Sequence, residues 1–469
     1  MTQRPGRRRF LGQMGGIGLG GLPLAGMLLQ GCSGSAVRTQ SAGYGQLKPV
    51  ADATTGLPLL RLPEGFRYRS FGWTGSPLAG GFRTPKAHDG MGIVRSERRQ
   101  LTLIRNHEIV SDRGAFGPPE LSYDVAAGGG CIAFEFDTET EQVSGERCVL
   151  SGTVANCSGG VTPWGTWLSG EEIVRIDGRT MDTMKPAAHL PGWRRDHGFL
   201  FEAHPDSARA PQPITAAGLF KHEAAAVHAA SGAVYLTEDN HPEAGFYRLT
   251  PKVPGQLLEG GTLHMLAVKG RQDMRRGVRV GDSFDVFWVE VDEPTRGHSP
   301  GTRDGRGVFA QGFAQGGAQF TRGEGVCLDG DVLWFTCTNG GKAGRGQIFA
   351  LNVREQQLTL VFEAGIGDQL DMPDNLIVSP QGSLLICEDN DQIRPQKLVG
   401  MRSDGSLFDF CENNVNLKAT PLPGFPEEDL RWEEWAGVCF SPDGRWLFAN
   451  LYKPGFTVAI TGPWQQGPL

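Results

Sequence analysis

The chain has 469 residues, of which 68 are glycine and 30 are proline, with 21% charged residues and a formal net charge of −7. This composition is typical of a folded, turn-rich domain and argues against a coiled coil or a disordered chain. A nucleic-acid partner is not expected, because binding to a phosphate backbone requires a basic stripe or patch.

The first residues have the pattern of an export leader and are excluded from the predicted fold. Arg7 and Arg8 precede a weakly apolar, glycine-rich stretch, which is typical of a twin-arginine export signal and too diluted by glycine for a stable membrane span. The letters LLQGC end at Cys32 and resemble a lipoprotein processing site. We therefore predict a signal and lipoprotein leader over 1–32, with lipidation at Cys32, and a linker over 33–58. An ordinary secretory signal with incidental arginines is the alternative.

Residues 59–466 contain a sixfold repeat. Each copy has a loop rich in Asp, Glu, Asn or Cys, an apolar strand, a glycine turn, and a second apolar strand that ends in polar residues. A repeat built from short apolar strands is typical of propeller blades. We predict an all-β fold, a six-bladed β-propeller with inserted loops. The longest insertion is 251–320, between blades three and four, and it either covers the active-site mouth or is a surface excursion.

The start and end of each repeat carry the residue types that bind metals. The starts are His88-Asp89, Asn156-Cys157, His222-Glu223, Glu324, Asp374-Asn375 and Glu434. The ends are Glu108, Glu172, Asn240, Asn339, Asn390 and Asn450.

These equivalent positions are expected to converge in space. The innermost strands of a propeller run along its central channel, so equivalent loops meet at one end. A cluster of carboxylates there would repel itself unless cations neutralised it. The alternative for each acid taken alone is that it caps a strand or tightens a turn.

Nine cysteines are present. Those inside apolar strands are expected to be small buried hydrophobes: Cys131, Cys327, Cys337, Cys387 and Cys439. A cross-strand disulfide between Cys131 and Cys148 is conceivable in an exported protein. Cys157 lies in a glycine-rich loop where other repeats place a carboxylate, so its thiolate could ligate a transition metal.

The chain resembles the PhoX-type alkaline phosphatases. The resemblance covers most of residues 60–465, and it lies in the stretches LPEGFRYRSFG, HDGM, NHE, GTVANCSGGVTPWGTWLSGEE, FTRGEGV and DMPDNLIVSPQGSLLICED, among others. It implies a six-bladed propeller whose channel holds two ferric ions and two or three calcium ions. It also implies hydrolysis of small phosphomonoesters, export by the twin-arginine machinery, and a periplasmic or extracellular protein with a possible lipid anchor.

The resemblance assigns roles to individual residues. Cys157 would be the iron-binding thiolate, Glu223 and Glu324 would bind the metal cluster, and Arg322 would hold the substrate phosphate, with Asn156 as a second substrate-binding candidate. The pool of further ligands comprises Asn106, Glu108, Glu171, Glu172, Glu238, Asp239, Asp374, Asn375, Glu388, Asp389 and Glu434.

The histidines beside these residues have two possible roles. His88, His107 and His222 could bind a metal directly or could orient a carboxylate. The resemblance is incomplete at Gly170, where members of the family commonly have a second cysteine before the pair of glutamates.

Two other functions remain open from the residues alone. A calcium-dependent lactonase of the propeller type would need neither Cys157 nor Arg322. A noncatalytic, calcium-stabilised binding propeller would tolerate the loss of both but not of several carboxylates. A monomer is expected in every case, because a propeller closes its own sheet.

Overall fold

The computed structural model describes residues 43–176, 179–180, 192–206, 209–302, 304–392 and 394–469. The predicted leader, with Cys32, and the first part of the linker lie outside the described residues. Within the described part, no helix is long and apolar enough to cross a membrane.

Strands make up nearly all of the regular structure. They are β1 (Lys48–Val50), β2 (Leu60–Leu62), β3 (Arg67–Phe71), β4 (His88–Glu97), β5 (Gln100–His107), β6 (Gly129–Asp137), β7 (Val143–Thr153), β8 (Gly159–Val161), β9 (Trp167–Gly170), β10 (Arg175–Ile176), β11 (Arg179–Thr180), β12 (Leu200–Ala203), β13 (His222–Val227), β14 (Val234–Glu238), β15 (Phe246–Pro251), β16 (Gly261–Val268), β17 (Ser283–Glu290), β18 (Gly323–Asp329), β19 (Val332–Cys337), β20 (Gln347–Asn352), β21 (Gln357–Glu363), β22 (Pro373–Val378), β23 (Leu384–Glu388), β24 (Lys397–Met401), β25 (Leu407–Asn413), β26 (Trp435–Phe440), β27 (Leu447–Leu451) and β28 (Phe456–Thr461). Helix α1 spans Gly307–Ala314, and short 3-10 turns span Ala79–Gly81, Pro119–Leu121, Thr215–Ala217, Leu257–Glu259 and Trp464–Gln466.

Consecutive strands pair antiparallel into meandering sheets. Strands β4 to β7 form one sheet, and β8, β9 and β12 form another. A nine-stranded sheet runs in the order β13-β14-β15-β16-β17-β21-β20-β19-β18. Strands β22 to β25 are extended by β2 and β1, and β26 to β28 are extended by β3. Strand β3, from near the start of the described chain, therefore completes the sheet that contains its last strand.

The first strand of each meander lies at the centre of the molecule. Strands β4, β8, β13, β18, β22 and β26 contact one another in that cyclic order, and β26 contacts β4 again. Apolar clusters fill the space between neighbouring sheets, for example the cluster around Phe246, Phe320 and Phe335. The fold is therefore all-β and propeller-like, in agreement with the predicted class.

The segment 251–320 is built into this architecture. Its strand β16 pairs with β15, and its strand β17 pairs with both β16 and β21, so that the segment joins two meanders into one sheet. Met265, Val308 and Phe309 are buried in a shared apolar cluster. The segment thus contributes strands and buried core residues to the fold. Its glycine-rich and charged sequence did not indicate this role.

The described cysteines are all free and buried. A disulfide between Cys131 and Cys148 was conceivable from the sequence, but both cysteines are free, so this expectation is wrong. Cys131 pairs with Leu150 and Cys148 pairs with Ile132 across β6 and β7. The Cys131 thiol instead donates to Asn106 Oδ1 at 3.0 Å, and the Cys148 thiol donates to the Leu150 carbonyl at 3.5 Å.

The central strands approach each other so closely that some positions exclude a side chain. A Cβ atom on Gly160 of β8 would lie 1.9 Å from the carbonyl oxygen of Ala225 in β13. Backbone atoms cannot yield to that contact as the end of a flexible side chain could. Glycine at this position thus determines how closely two inner strands can approach.

We predict that Gly160→Ala destabilises the protein by about 3 kcal/mol, at the upper end of what overpacking costs. Urea unfolding would measure the loss. Gly365→Ala is the control, because a Cβ there would meet only the Asp368 side chain, at 3.3 Å or more. Equal stability of the two variants would contradict the proposed close approach.

Candidate functional site

A cavity of about 560 Å³ opens at the end of the channel where the inner strands begin. Its wall carries ten carboxylates and Cys157, against two cationic side chains, Arg322 and Lys453. The carboxylates are Asp89, Glu108, Glu172, Glu223, Asp239, Glu324, Asp374, Asp389, Glu433 and Glu434. Val110, Trp432 and Tyr452 complete the wall. A wider surface groove of about 1310 Å³ around 276–280 and 363–369 has no comparable concentration of acids.

The inner strands direct acidic side chains into the cavity through irregular pairing. The register of β4, β13, β18 and β22 with their partners shifts at the segments that contain Asp89, Glu223, Glu324 and Asp374. Such a bulge re-aims the side chain that it carries. Four of the candidate ligands therefore depend on a local departure from regular strand geometry.

A second irregularity precedes these residues. Ala87, Ala155, Arg322 and Met372 have φ between 42° and 54°, a left-handed conformation that is costly for residues other than glycine. Each lies two positions before a cavity residue: Asp89, Cys157, Glu324 and Asp374, respectively. The chain therefore turns sharply at equivalent points of four repeats, immediately before the side chain that faces the cavity.

Backbone hydrogen bonds hold these left-handed residues against the end of the adjacent strand. The amides of Glu108, Glu172 and Asp389 donate to the carbonyl groups of Ala87, Ala155 and Met372. The backbone amide of Thr338 donates to the carbonyl of Arg322 in the same way, and the backbone amide of Asp239 donates to the carbonyl of Lys221. The start and the end of an inner hairpin are thereby fixed side by side, and most hairpins present two cavity residues as a pair.

Strand alternation separates the consecutive acids that the sequence could not distinguish. Glu172, Asp239 and Asp389 line the cavity, whereas their neighbours Glu171, Glu238 and Glu388 point into the fold.

The inward-pointing acids all have protein partners. Glu171 accepts hydrogen bonds from His197 Nδ1 at 2.7 Å and from the Gly198 amide at 2.8 Å. Glu238 accepts from the Tyr247 hydroxyl at 2.7 Å, and Glu388 is paired with Arg394 at 2.5 Å. These three predicted ligands thus lie away from the cavity wall.

The predicted amide ligands also lie outside the wall and support it. Asn106 donates to the carbonyl groups of Cys157, at 3.1 Å, and Ser158, at 2.7 Å. Asn156 donates to the Ser169 hydroxyl at 2.9 Å.

Asn375 spans the channel instead of lining the cavity. Its Nδ2 donates to the Ser158 hydroxyl at 3.3 Å, from β22 to the residue before β8, and its Oδ1 accepts from the Val438 amide. This contact ties the Cys157 loop to the strand that carries Asp374.

The three histidines are buried and are not part of the cavity wall. His88, His107 and His222 each place a ring nitrogen within hydrogen-bond distance of a backbone carbonyl, those of Pro85, Lys86 and Gly218. Burial lowers the pKa of all three, that of His222 to about 4. Because these ring nitrogens contact backbone carbonyls, the positions of the histidines favour a third role, support of the surrounding loops.

The cavity holds more negative charge than its own cations can balance. Burial, and then the neighbouring carboxylates, raise the pKa of Glu223 and Glu324 well above the usual value for a glutamate. The same causes raise the pKa of Asp374 and Glu434. Burial raises the pKa of Asp389 to about 6. Bound cations would remove this penalty.

Arg322 is held by two of the acids. Its Nε donates to Asp239 Oδ1 at 3.2 Å, and its Nη2 donates to Glu324 Oε1 at 2.5 Å. These carboxylates raise the pKa of the guanidinium, with Asp239 as the main cause. The side chain remains 22% exposed, so the guanidinium is fixed in orientation and still reaches the cavity.

Cys157 is shared by two groups of potential metal ligands. Ligand atoms of Asp89, Glu108 and Cys157 lie within 4.8 Å of one another, as do those of Cys157, Glu172 and Glu223. The Cys157 thiol donates to Glu172 Oε2 at 2.7 Å. Carboxylate oxygens suit calcium and ferric iron, and a thiolate favours a transition metal, so the donor set fits a mixed cluster.

Sequence reasoning missed part of the wall. Asp89 starts the first repeat but is not among the predicted ligands, although its position matches those of Glu223 and Glu324. Tyr452 takes the end position of the sixth repeat, two residues after the predicted Asn450. The Asn450 amide instead donates to the Asp89 carbonyl. The comparison of repeat starts already contained Asp89, and carrying it into the ligand set would have completed the prediction at this position.

Gly170, where the resemblance is incomplete, lies against an inner strand. A Cβ there would lie 2.8 Å from His222 Cβ and 3.0 Å from the Glu223 carbonyl oxygen. The position faces the backbone of β13, and Gly170 is not part of the described cavity wall. The chain keeps Cys157 as the cavity thiol.

Comparison with known proteins identifies the family. The family model "Alkaline phosphatase PhoX" matches residues 42–148 and 133–455. The chain therefore belongs to the alkaline phosphatase PhoX family. Membership confirms the predicted enzyme class, a hydrolase of the alkaline phosphatase type. No curated protein gives a significant match.

One solved structure supports the propeller-like fold of this PhoX-family chain, and a second is reported as a weaker similarity. The structure of Pseudomonas fluorescens PhoX in complex with vanadate, a transition-state analogue, is 18% identical, with a TM-score of 0.65, and the match covers 90% of this chain and 99% of that one. A gluconolactonase from Xanthomonas campestris is 12% identical, with a TM-score of 0.44, over 91% of this chain and 100% of that one.

His197 contacts Glu171 and Asp124 behind the cavity. Its charge there makes the stability of the protein depend on pH, and this dependence can be measured. Burial opposes its charged form, but Glu171 and Asp124 outweigh burial and raise its pKa to about 9. Because this folded-state pKa exceeds the unfolded value, the stabilisation is complete below pH about 6.5 and is lost as the pH rises through about 9. We predict that His197→Gln lowers the unfolding free energy by up to about 3 kcal/mol at pH 6 and much less at pH 10.

Chemical denaturation across this pH range, in metal-replete buffer, would measure the difference. His228→Gln, at a turn outside the cavity, is the control. A stability difference that does not change with pH would show that His197 is not charged in the folded protein.

Proposed function

We propose that this protein is an exported, metal-dependent phosphatase that hydrolyses phosphomonoesters in the acidic cavity. The observation that carries the proposal is Arg322, a fixed and partly exposed guanidinium within a cluster of carboxylates and one thiol. A phosphate dianion entering this cavity requires cations, and the wall has the ligands to hold them. Family membership supports the same reaction class.

We further propose that the channel is formed by six blades. The cyclic contacts of the six inner strands support this count. In this interpretation the nine-stranded sheet comprises two blades joined through β17, and the sheet of β26 to β28 is completed by β3. Each blade then contributes one inner hairpin to the cavity.

The residues present fit a cluster of iron and calcium ions. Burial and the neighbouring carboxylates raise the pKa of Glu223, Glu324 and Asp374, which favours bound cations as the partners of their charged forms. Cys157 with its two groups of neighbouring carboxylates would hold iron, and the carboxylates farther along the wall would hold calcium. We propose two ferric ions and two or three calcium ions, as the resemblance implies.

When bound, such a cluster supplies charge neutralisation for the phosphate, an activated oxygen nucleophile and stabilisation of the leaving oxygen. The protein's own contribution is orientation. Arg322 offers a planar pair of N–H donors that matches two phosphate oxygens, and its contacts with Asp239 and Glu324 hold it ready. A fixed donor of this kind favours the transition state because it need not reorganise during the reaction.

The solved relative was bound to vanadate, described as a transition-state analogue. Vanadate adopts the geometry of phosphoryl transfer, so the similarity of fold is consistent with that chemistry here. The lactonase and binding-propeller alternatives give no role to Arg322 or Cys157. We assign residues 59–466 to the catalytic propeller and the leader to the twin-arginine route, and we propose that the mature enzyme is a monomer in the periplasm or outside the cell.

Arg322→Ala is expected to lower kcat/KM for a phosphomonoester by about 2 to 4 kcal/mol of transition-state stabilisation, with KM raised and kcat lowered. Arg322→Lys should recover only part of this, because an ammonium lacks the planar donor pair. Steady-state kinetics would measure both. Arg279→Ala is the control, since that side chain is 88% exposed and outside the cavity. Near-normal kcat/KM in Arg322→Ala would overturn the assignment of this residue.

Elemental analysis of the exported protein is expected to find about two iron and two or three calcium ions per chain, as the resemblance implies. Cys157→Ser should lose iron in preference to calcium, because it removes the thiolate shared by the two ligand groups. Cys148→Ser, a buried cysteine outside the cavity, is the control. Calcium without iron in the wild-type protein would favour the lactonase or binding-propeller alternatives.

A further inference from the structure

The cavity has an apolar side that the metal-binding function does not use. Trp432 is 44% exposed. Among the exposed large apolar side chains in the described part of the chain, Trp432 is the one that lines the cavity. Val110 lies in the same wall. The remaining wall is mostly acidic, so an exposed indole at this position needs a separate explanation.

The exposure of Trp432 does not come from a loosely held segment. Its carbonyl accepts a hydrogen bond from Gln396 Nε2 at 3.3 Å, and the Gln396 amide donates to the carbonyl of Arg431 at 2.9 Å. Gln396 is 1% exposed and is itself bonded to Asn390. The segment is therefore anchored to a buried amide, and the indole is presented to the cavity from a fixed backbone.

Trp432 and Arg322 occupy equivalent positions in two repeats. Each lies two residues before a cavity carboxylate at the start of an inner hairpin, Glu434 and Glu324 respectively. The corresponding strands, β26 and β18, are separated by β22 in the cyclic order. The two side chains thus flank one cavity from different sides, one with a cationic donor pair and one with an aromatic surface.

We propose that Trp432, with Val110, forms a subsite for the leaving group of phosphomonoesters whose leaving group carries a planar aromatic ring. This inference rests on the proposed phosphatase function. An aromatic ring gains stacking and apolar contact on the indole. A leaving group with its own negative charge would be repelled by the acidic wall. Lys453 offers little relief, because it is paired with Glu433 at 3.2 Å.

The subsite predicts a selective loss of activity. In Trp432→Ala, kcat/KM for phenyl phosphate and for adenosine 5′-monophosphate should fall at least about fivefold, the factor that corresponds to about 1 kcal/mol of stacking. For glycerol 3-phosphate it should change less than twofold, and the inhibition constant of inorganic phosphate should stay the same. Trp432→Phe should retain most of the preference, since it keeps a flat ring.

Phe287→Ala is the matched control, because Phe287 is 47% exposed and lies outside the cavity. Equal losses for aromatic and glycerol substrates, or no loss for either, would overturn the subsite. The metal content of each variant should be measured alongside, since a loss of ions would lower all activities together.

The failure of the proposed function can be told apart from the failure of the subsite. If the metal-loaded wild-type protein hydrolyses no phosphomonoester, the proposed function is wrong. Calorimetric binding of phenylphosphonate and methylphosphonate to the wild type and Trp432→Ala still decides the subsite. Tighter binding of the phenyl compound to the wild type, lost in the variant, supports it, and equal binding of the two compounds overturns it.

Discussion

The concentration of negative charge at one end of the channel is the constraint on which the rest of the structure depends. Ten carboxylates and Cys157 share a cavity with two cationic side chains, Arg322 and Lys453. Water cannot fully solvate these groups, and their pKa values rise where burial is greatest, as at Glu223 and Glu324. A protein without cations would pay this electrostatic penalty in stability. Cations bound in the cavity would lower this penalty and so stabilise the fold.

The scaffold achieves this concentration with backbone geometry more than with side-chain packing. Bulges turn acids inward, left-handed residues such as Ala87 and Met372 precede them, and amide hydrogen bonds close each inner hairpin. These conformations are individually costly, by about 1 to 3 kcal/mol for each left-handed residue. Their recurrence at equivalent positions shows that the cost is tied to the cavity. Close approach of the inner strands, as at Gly160, makes the arrangement rigid.

The sequence predicted the all-β class and the convergence of the repeat starts, because the spacing of apolar strands and glycine turns carries that information. It could not distinguish Glu171 from Glu172 or Glu388 from Asp389. Strand alternation decides which acid of such a pair faces the cavity, and the exact residue at which a strand ends is not encoded in composition. The contacts of Asn375 could not be predicted from the sequence for another reason. Its partner Ser158 is remote in sequence, and only the closed ring brings the two together.

The same closure makes the site a property of the whole ring. Strand β3, near the start of the described chain, completes the sheet of β28 near its end. The cavity wall next to that sheet includes Glu434 and Tyr452. The side-chain amide of Asn450 in the same sheet donates to the backbone carbonyl of Asp89, which connects this sheet to the first inner strand. If this pairing opened, the acids of the last hairpin would separate from those of the first. Cations bound between them would oppose such opening, because ligand binding to the folded state alone stabilises it by mass action. With such cations bound, metal affinity and resistance to unfolding would be coupled.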